Sequence, residues 1–185
     1  MPNNLLITGR IRSGKSTLLK TMIDSLEPIT GGYFAQRLFI LDQTRGFRLV
    51  DLSQELYLPN RRIEDLQAFS DIFLVKGEES SVNEKIFRTL GVTSLRSAWG
   101  KKQLILMDEL GTIEATVPEF MEAVYQTLDR DIPVLGILKK KAHPFLDQIK
   151  SRADVQLLDM DQMGCEEVQK EVQRFLVSRG LVSRD

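Results

Sequence analysis

The sequence predicts an α/β fold, with a mostly parallel β-sheet flanked by helices and an antiparallel hairpin at the edge of the sheet. Two observations lead to this prediction. Short apolar runs bounded by turn residues alternate along most of the chain with segments whose apolar residues recur at helical spacing. Residues 31–52 depart from this alternation, because two β-rich runs there are joined by the turn-like segment Asp42–Gly46.

The expected strands are runs in which apolar and β-branched residues dominate. The first lies close to the N-terminus, two form the hairpin, and three follow in the second half of the chain. Residues 56–77 have no clear pattern. The strands are expected at Leu5–Thr8, Tyr33–Leu41, Phe47–Leu52, Gln103–Asp108, Ile132–Leu138 and Val155–Leu158.

The expected helices are marked by one apolar face and by residues typical of helix ends. The apolar residues between 18 and 26 fall on one face of the first helix. Pro118 suits the first turn of a later helix, and Gly180 is a natural stop for the last one. Gly91 and Val92 weaken the prediction for the middle helix. The helices are expected at Lys15–Leu26, Val82–Trp99, Val117–Asp129, Pro144–Arg152 and Glu166–Arg179.

Length and composition indicate one globular domain over residues 1–185. The chain is 42% hydrophobic and 28% charged, which is ordinary for such a domain. Its 25 basic and 26 acidic residues give a formal net charge of −1, so no strong field attracts nucleic acid. The sequence therefore gives no evidence for a nucleic-acid partner, and it does not identify a protein partner.

Cysteine usage and apolar runs indicate a cytoplasmic protein without a membrane segment. The one cysteine, Cys165, cannot form an internal disulfide and lacks the paired spacing of a zinc site. The apolar run Leu5–Ile7 is too short for the apolar region of a signal peptide. The longest run elsewhere, Ile132–Leu138, is interrupted by Pro133 and Gly136 and is far too short to span a bilayer.

The segment Gly9–Ser16 matches the pattern G-x-x-x-x-G-K-[ST] of a phosphate-binding loop. Glycines let the backbone wrap closely, so successive N–H groups point at phosphate oxygens, and the following helix directs the positive end of its dipole at the anion. Lys15 would place its charge on the β- and γ-phosphates of a nucleoside triphosphate, and the Ser16 hydroxyl would ligate Mg²⁺. The expected strand before the motif and helix after it disfavour a chance glycine turn. The residues expected to contact ATP or another nucleoside triphosphate are Gly9, Arg10, Ile11, Arg12, Ser13, Gly14, Lys15, Ser16 and Thr17.

A second motif supplies the acid that such a loop requires. The apolar run Leu104–Met107 ends in Asp108, which would hold Mg²⁺ opposite Ser16 through a water molecule. Glu109 follows directly, and a carboxylate there can orient or deprotonate a water molecule against the γ-phosphate. The alternative for Glu109 is the solvated first residue of a loop. We predict Lys15 and Glu109 as catalytic residues, and Ser16 and Asp108 as magnesium ligands.

Other charged residues are candidates for stabilising charge in the transition state. Lys139–Lys141 follow an expected strand and would emerge at the nucleotide end of the sheet, although a solvated loop is the ordinary outcome for any one of them. Arg12 is the best placed arginine, because it lies within the loop itself. His143 and Cys165 are interpreted as structural and unreactive. The further candidate arginines are Arg10, Arg45, Arg48, Arg61 and Arg62.

The acidic motif opens a longer segment, Asp108–Glu114, that is similar to the D-E-[IL]-G-x-[MI]-E stretch of the small P-loop nucleoside-triphosphatases of the cancer-related type. The resemblance extends over residues 1–50 and 100–160 and is faint between 55 and 98. It implies a P-loop nucleoside-triphosphatase fold, a nucleoside triphosphate as substrate and a magnesium cofactor. Further similar segments are Gly9–Ser16, Gly32–Phe34, Arg45–Phe47, Pro133–Gly136 and Phe145–Lys150.

Four positions depart from the pattern of that family. Arg12 stands where the family usually has glycine, and Thr112 replaces a common lysine. Gln162–Met163 replaces a usual Asn-Arg pair, and an expected Gly-Lys-Tyr segment is reduced to Lys76–Gly77. These departures concern base recognition and hydrolytic rate rather than the phosphate and metal chemistry.

The sequence therefore predicts Mg²⁺-dependent hydrolysis of nucleoside triphosphates to the diphosphate and phosphate. The main alternative is a small nucleoside or nucleotide kinase, which would need a second substrate pocket and an arginine-rich lid to which Arg61 and Arg62 would belong. A nucleotide-dependent switch is a third class. The chain contains neither an Asn-Lys-x-Asp guanine motif nor an L-S-G-G-Q stretch.

Overall fold

The computed structural model describes residues 2–183. Within this range, nine strands form one mixed β-sheet. The strands are β1 (Asn4–Thr8), β2 (Thr30–Ile40), β3 (Gln43–Asp51), β4 (Asn60–Arg62), β5 (Ile72–Val75), β6 (Ser81–Val82), β7 (Leu104–Leu110), β8 (Val134–Leu138) and β9 (Val155–Asp159). The helices are α1 (Lys15–Ile23), α2 (Val92–Ala98), α3 (Pro118–Leu128), α4 (Pro144–Lys150), α5 (Met160–Met163) and α6 (Cys165–Ser178).

The centre of the sheet is parallel, in the order β2-β7-β8-β1-β9. Successive side chains of a strand point to opposite faces, so each central strand feeds two cores. One core lies between the sheet and helices α1 and α6, and the other between the sheet and helices α2, α3 and α4. Every residue of β1 and β8 is buried, as expected for strands covered on both faces.

An antiparallel region extends one side of the sheet. Strand β2 pairs with β7 through Thr30–Phe34 on one edge and with β3 through Tyr33–Ile40 on the other. Because β3 occupies one edge of β2, strand β4 pairs with Arg37–Phe39 on the same edge as β7, beyond the point where β7 leaves β2. The predicted hairpin is confirmed as β2–β3, and the antiparallel region continues outward through β5 to β6.

Some predicted boundaries differ from the structure. The first helix ends at Ile23 and continues as a 3₁₀ segment over Asp24–Ile29. The strand predicted to end at Asp108 continues to Leu110. The middle helix is interrupted: a π-helical turn over Phe87–Gly91 precedes α2. A Cβ atom at Gly91 would lie 2.7 Å from the ring of Phe120, so the glycine that weakens the helix allows this close packing.

No helix within residues 2–183 is both long enough and apolar enough to cross a membrane. The carboxyl ends of the parallel strands β1, β7, β8 and β9 meet at one edge of the sheet. In open α/β sheets, ligands bind at that edge. The predicted phosphate-binding loop, the acids Asp108 and Glu109 and the lysines 139–141 lie at this end of the sheet.

Candidate functional site

The loop between β1 and α1 has the backbone geometry that its glycines predict. Gly9 and Gly14 have φ angles of 146° and 93°, which lie in the region that favours glycine. Arg12 also lies there, with φ 65° and an exposed side chain. Because Leu18 donates the first helical hydrogen bond to the Gly14 carbonyl at 2.9 Å, the amides of the helix start remain free to bind an anion.

Lys15 folds back across this loop. Its buried ammonium donates hydrogen bonds to the carbonyl oxygens of Gly9 and Arg10 at 2.9 and 2.8 Å and to Ser13 Oγ at 3.1 Å. Burial lowers the pKa of Lys15, and nearby carboxylates, led by Glu109, offset part of this effect. The Lys15 ammonium is therefore held within the loop, close enough to interact electrostatically with Glu109 and Asp108 near the carboxyl end of β7.

Asp161 anchors the start of the loop. Its Oδ2 accepts a hydrogen bond from the Arg10 amide at 3.0 Å, and the Arg10 side chain lies 3.4 Å from Oδ1. The ammonium of Lys140 contacts Asp161 at 3.0 Å and Asp159 at 2.8 Å. Lys140 is therefore paired with two carboxylates rather than directed at the loop. Asp161 could not be predicted as a site residue, because nothing in its local sequence distinguishes it from other acids in helix starts.

The hydroxyl of Tyr57 links Ser16 and Asp108. Asp108 is buried near the carboxyl end of β7, and its Oδ2 accepts a hydrogen bond from the Tyr57 hydroxyl. The Ser16 side chain also interacts with that hydroxyl. Burial raises the pKa of Asp108 to about 7, while the Tyr57 hydrogen bond lowers it in part. A hydroxyl and a carboxylate thus converge as a hard oxygen donor pair, and a nearby cation would favour the ionised carboxylate.

Glu109 forms an ion pair with a residue of the neighbouring strand end. The Lys139 ammonium lies 3.0 Å from Glu109 Oε1, and both side chains are partly exposed. Burial lowers the pKa of Lys139, but the carboxylates of Glu109 and, to a smaller extent, Glu114 together offset this, so the pKa is raised overall. Glu114 is buried close by, and burial raises its pKa to about 7.

The candidate arginines outside the loop are mostly engaged elsewhere. Arg61 and Arg62 lie in strand β4, where Arg61 approaches Glu55 at 3.5 Å and Arg62 pairs with Asp42 at 2.9 Å. Buried Arg48 contacts the carboxylates of two residues in the antiparallel region, Glu55 and Asp71. Arg45 is exposed on β3. Arg61 and Arg62, which would belong to the lid of the alternative kinase, therefore lie in a paired strand.

The two residues interpreted as structural have ordinary surroundings. His143 precedes α4, and its Nδ1 accepts a hydrogen bond from the Phe145 amide at 3.3 Å. Cys165 is exposed at the first position of α6.

Together, the sheet order and the loop between β1 and α1 define a P-loop nucleotide-binding protein of the α/β class. Residues 4–173 match the model of the NTPase family. The chain belongs to this NTPase family, and the predicted family and enzyme class, a nucleoside-triphosphatase, are confirmed.

The chain is similar in sequence or in fold to several proteins named as nucleoside-triphosphatases or THEP1. The nucleoside-triphosphatase THEP1 of Thermotoga petrophila is 31% identical over 169 residues, which cover 91% of this chain and 89% of that protein. The crystal structure of THEP1 from Aquifex aeolicus has a TM-score of 0.69 at 19% identity and covers 91% of this chain and 96% of that one. The solution structure of a human cancer-related nucleoside triphosphatase has a TM-score of 0.67 at 22% identity, with coverages of 98% and 99%. The two structures confirm the predicted fold class.

Proposed function

We propose that the chain hydrolyses nucleoside triphosphates, ATP among them, to the diphosphate and phosphate in a Mg²⁺-dependent reaction. The observation that carries this proposal is the convergence of Lys15, Ser16, Asp108 and Glu109 at one edge of the sheet, within contact or electrostatic range of one another. Membership of the NTPase family supports it, as does the similarity to proteins named nucleoside-triphosphatase.

Each residue has a chemical role in this proposal. Lys15 and the backbone amides of Gly9–Thr17 bind the phosphates, which carry the negative charge of the substrate. Ser16 and Asp108 hold Mg²⁺, which uses one or two protein oxygens together with phosphate oxygens and water. Bound there, the metal neutralises charge on the phosphates. Glu109 orients a water molecule and accepts its proton. The ion pair with Lys139 fixes the orientation of the Glu109 carboxylate for this role.

Hydrolysis is favoured over phosphoryl transfer to a second substrate by the state of the candidate lid residues. A kinase closes mobile cations over the phosphates to exclude water. Arg61 and Arg62 are instead parts of a strand that is hydrogen bonded to β2, and both lie beside acids. Glu109, in contrast, follows the proposed metal ligand directly, as the activation of water requires.

The proposal is tested by measuring phosphate release from ATP, GTP, CTP and UTP with Mg²⁺ and with excess EDTA. We expect Mg²⁺-dependent release that is unchanged by added nucleosides or nucleoside monophosphates. Turnover that requires an acceptor, with the phosphate recovered on that acceptor, would establish a kinase instead. The Lys15→Ala variant, purified in the same way, controls for contaminating phosphatases.

A further inference from the structure

Tyr57 is a buried tyrosine whose hydroxyl contacts Asp108, one proposed metal ligand, and lies close enough to Ser16, the other, to interact with it. The hydroxyl donates to Asp108 Oδ2, and the Ser16 side chain interacts with the same group. Tyr57 is 0% exposed, whereas its neighbours Leu56 and Leu58 are 72% and 48% exposed. An apolar segment would ordinarily bury its leucines. The chain instead turns the phenol inward, toward the acid at the end of β7.

The position of the Tyr57 ring is fixed by the sheet. The ring packs edge-on against Phe34, with 5.0 Å between ring centroids and an interplanar angle of 69°. Phe34 pairs in register with Asp108 across β2 and β7. The ring and the carboxylate that its hydroxyl contacts are therefore held by the same pair of strands, which leaves little freedom in their relative position.

The backbone around Tyr57 is also anchored. Its amide donates to Glu27 Oε1 at 3.1 Å, and the same carboxylate pairs with Lys20 of α1 at 3.2 Å. After Tyr57, the carbonyl of Leu58 accepts a hydrogen bond from Gln36 Nε2 at 2.6 Å. The segment is thus tied to α1, which carries Ser16, and to β2, which pairs with the strand that carries Asp108.

We propose that Tyr57 is a positioning residue for the metal: its hydroxyl orients the Asp108 carboxylate and the Ser16 hydroxyl so that both face a Mg²⁺ ion bound with the nucleotide. This inference rests on the proposed function. A phenol suits the role because its hydroxyl can donate to the carboxylate and accept from the serine at the same time. Hydrogen-bond partners of metal-ligating groups contribute about 10- to 100-fold to metal affinity.

The test compares Tyr57→Phe with Tyr33→Phe as a matched control. Each variant removes one phenolic oxygen from a buried ring, and the Tyr33 hydroxyl has no hydrogen-bond partner among the described residues. The full-length proteins are loaded with ADP, and Mn²⁺ binding is measured by electron paramagnetic resonance, with Mg²⁺ as competitor. ADP affinity in EDTA is measured by calorimetry, and thermal melting establishes that each variant is folded.

We expect Tyr57→Phe to weaken Mn²⁺ and Mg²⁺ binding by about 10- to 100-fold, while metal-free ADP affinity stays within about twofold and Tyr33→Phe behaves as the parent protein. Unchanged metal affinity in Tyr57→Phe would overturn the inference while leaving the proposed function intact. Tighter metal binding would also overturn it, because the hydroxyl would then compete with the metal. An equal loss of metal-free ADP binding would show a structural role only. Absence of metal binding by the ADP-loaded parent protein would overturn both proposals.

Discussion

The Lys139 ammonium lies 3.0 Å from the Glu109 carboxylate and joins the ends of two neighbouring parallel strands. The backbone supports this contact, because the Lys139 amide donates to the Leu110 carbonyl at 2.8 Å. Gly111 allows the side chains to gather: a Cβ atom there would lie 3.3 Å from Lys139 Cδ and 2.9 Å from Glu114 Oε2. The direction of the Glu109 carboxylate is therefore determined by Lys139, the first residue after β8.

Replacing Lys139 tests whether that ion pair aligns Glu109 for catalysis. We expect Lys139→Met to lower kcat by about 10- to 100-fold with KM little changed, since misalignment of a reacting group by about 1 Å has this effect. Steady-state phosphate release measures both constants. Lys141→Met is the matched control, because Lys141 is an exposed lysine two residues away. An equal loss in both variants would contradict a role specific to Lys139.

The Glu109→Gln variant tests the proton acceptor itself. Glutamine keeps the size of the side chain and an oxygen that accepts from Lys139, but it is a poor base. We expect Mg·NTP binding to be retained and turnover to fall by about 10²-fold or more. Single-turnover phosphate release, combined with nucleotide affinity from calorimetry, separates the two effects. Turnover at the parent rate would mean that Glu109 is a bystander.

Lys15→Ala is expected to abolish triphosphate binding while the fold is kept. The ammonium carries the charge that the phosphates require, and its hydrogen bonds lie within the loop rather than in a core. Calorimetric titration with ATP measures the binding, and thermal melting measures the fold. Lys101→Ala serves as a control, because Lys101 is an exposed lysine in the turn between α2 and β7 and is not part of the loop. Undiminished ATP affinity would refute the site.

Arg12 is expected to impose backbone strain rather than to stabilise the transition state. Its φ of 65° costs an L-residue about 1 kcal/mol or more, whereas glycine adopts it freely. We therefore expect Arg12→Gly to be more stable than the parent by about 1 kcal/mol, with equal or higher turnover.

Arg12→Ala is the discriminating companion, since it removes the guanidinium but keeps the Cβ atom and the strain. Denaturant unfolding should give a higher free energy of unfolding than that of the parent for the glycine variant alone. A large fall of turnover in both variants, at unchanged nucleotide affinity, would instead assign Arg12 a charge-stabilising role.

Glu114 makes the stability of the fold dependent on pH. Burial raises its pKa from the ordinary value of 4.5 to about 7. Between these values the folded state holds a proton that the unfolded chain has released, so the free energy of unfolding decreases as the pH rises through this window.

Glu114→Gln removes this titration. The free energy of unfolding of the variant minus that of the parent should therefore be larger, that is, the variant relatively more stable, at about pH 8 than at about pH 5. The expected difference is on the order of 2 kcal/mol, and urea unfolding at both pH values measures it. The contribution of Asp108 is common to both proteins and cancels. Parallel pH profiles of the two proteins would contradict a buried, proton-binding Glu114.

The parallel core could be predicted from the sequence, and the antiparallel region only in part. Strands β1 and β8 are fully buried, so their residues form continuous apolar runs. Strands β4 and β6 consist of three and two exposed residues, and such strands carry no apolar pattern. They exist because β2 and β5 offer edges on which β4 and β6 can pair, which is a property of the assembled sheet.

The sequence by itself was enough to predict the loop Gly9–Ser16 and the acids Asp108 and Glu109 as site residues, because a loop between a strand and a helix and an acid near a strand end have geometries that follow from contiguous residues. The tertiary structure alone decided which side chains support them. Tyr57 meets Asp108 across 51 positions of sequence, and Asp161 meets Arg10 across 151. Those contacts depend on the register of β2 on β7 and of β1 on β9. Register is specified by burial of the strands' apolar side chains between the two helical layers, so it depends on the assembled sheet rather than on the residues of any one strand.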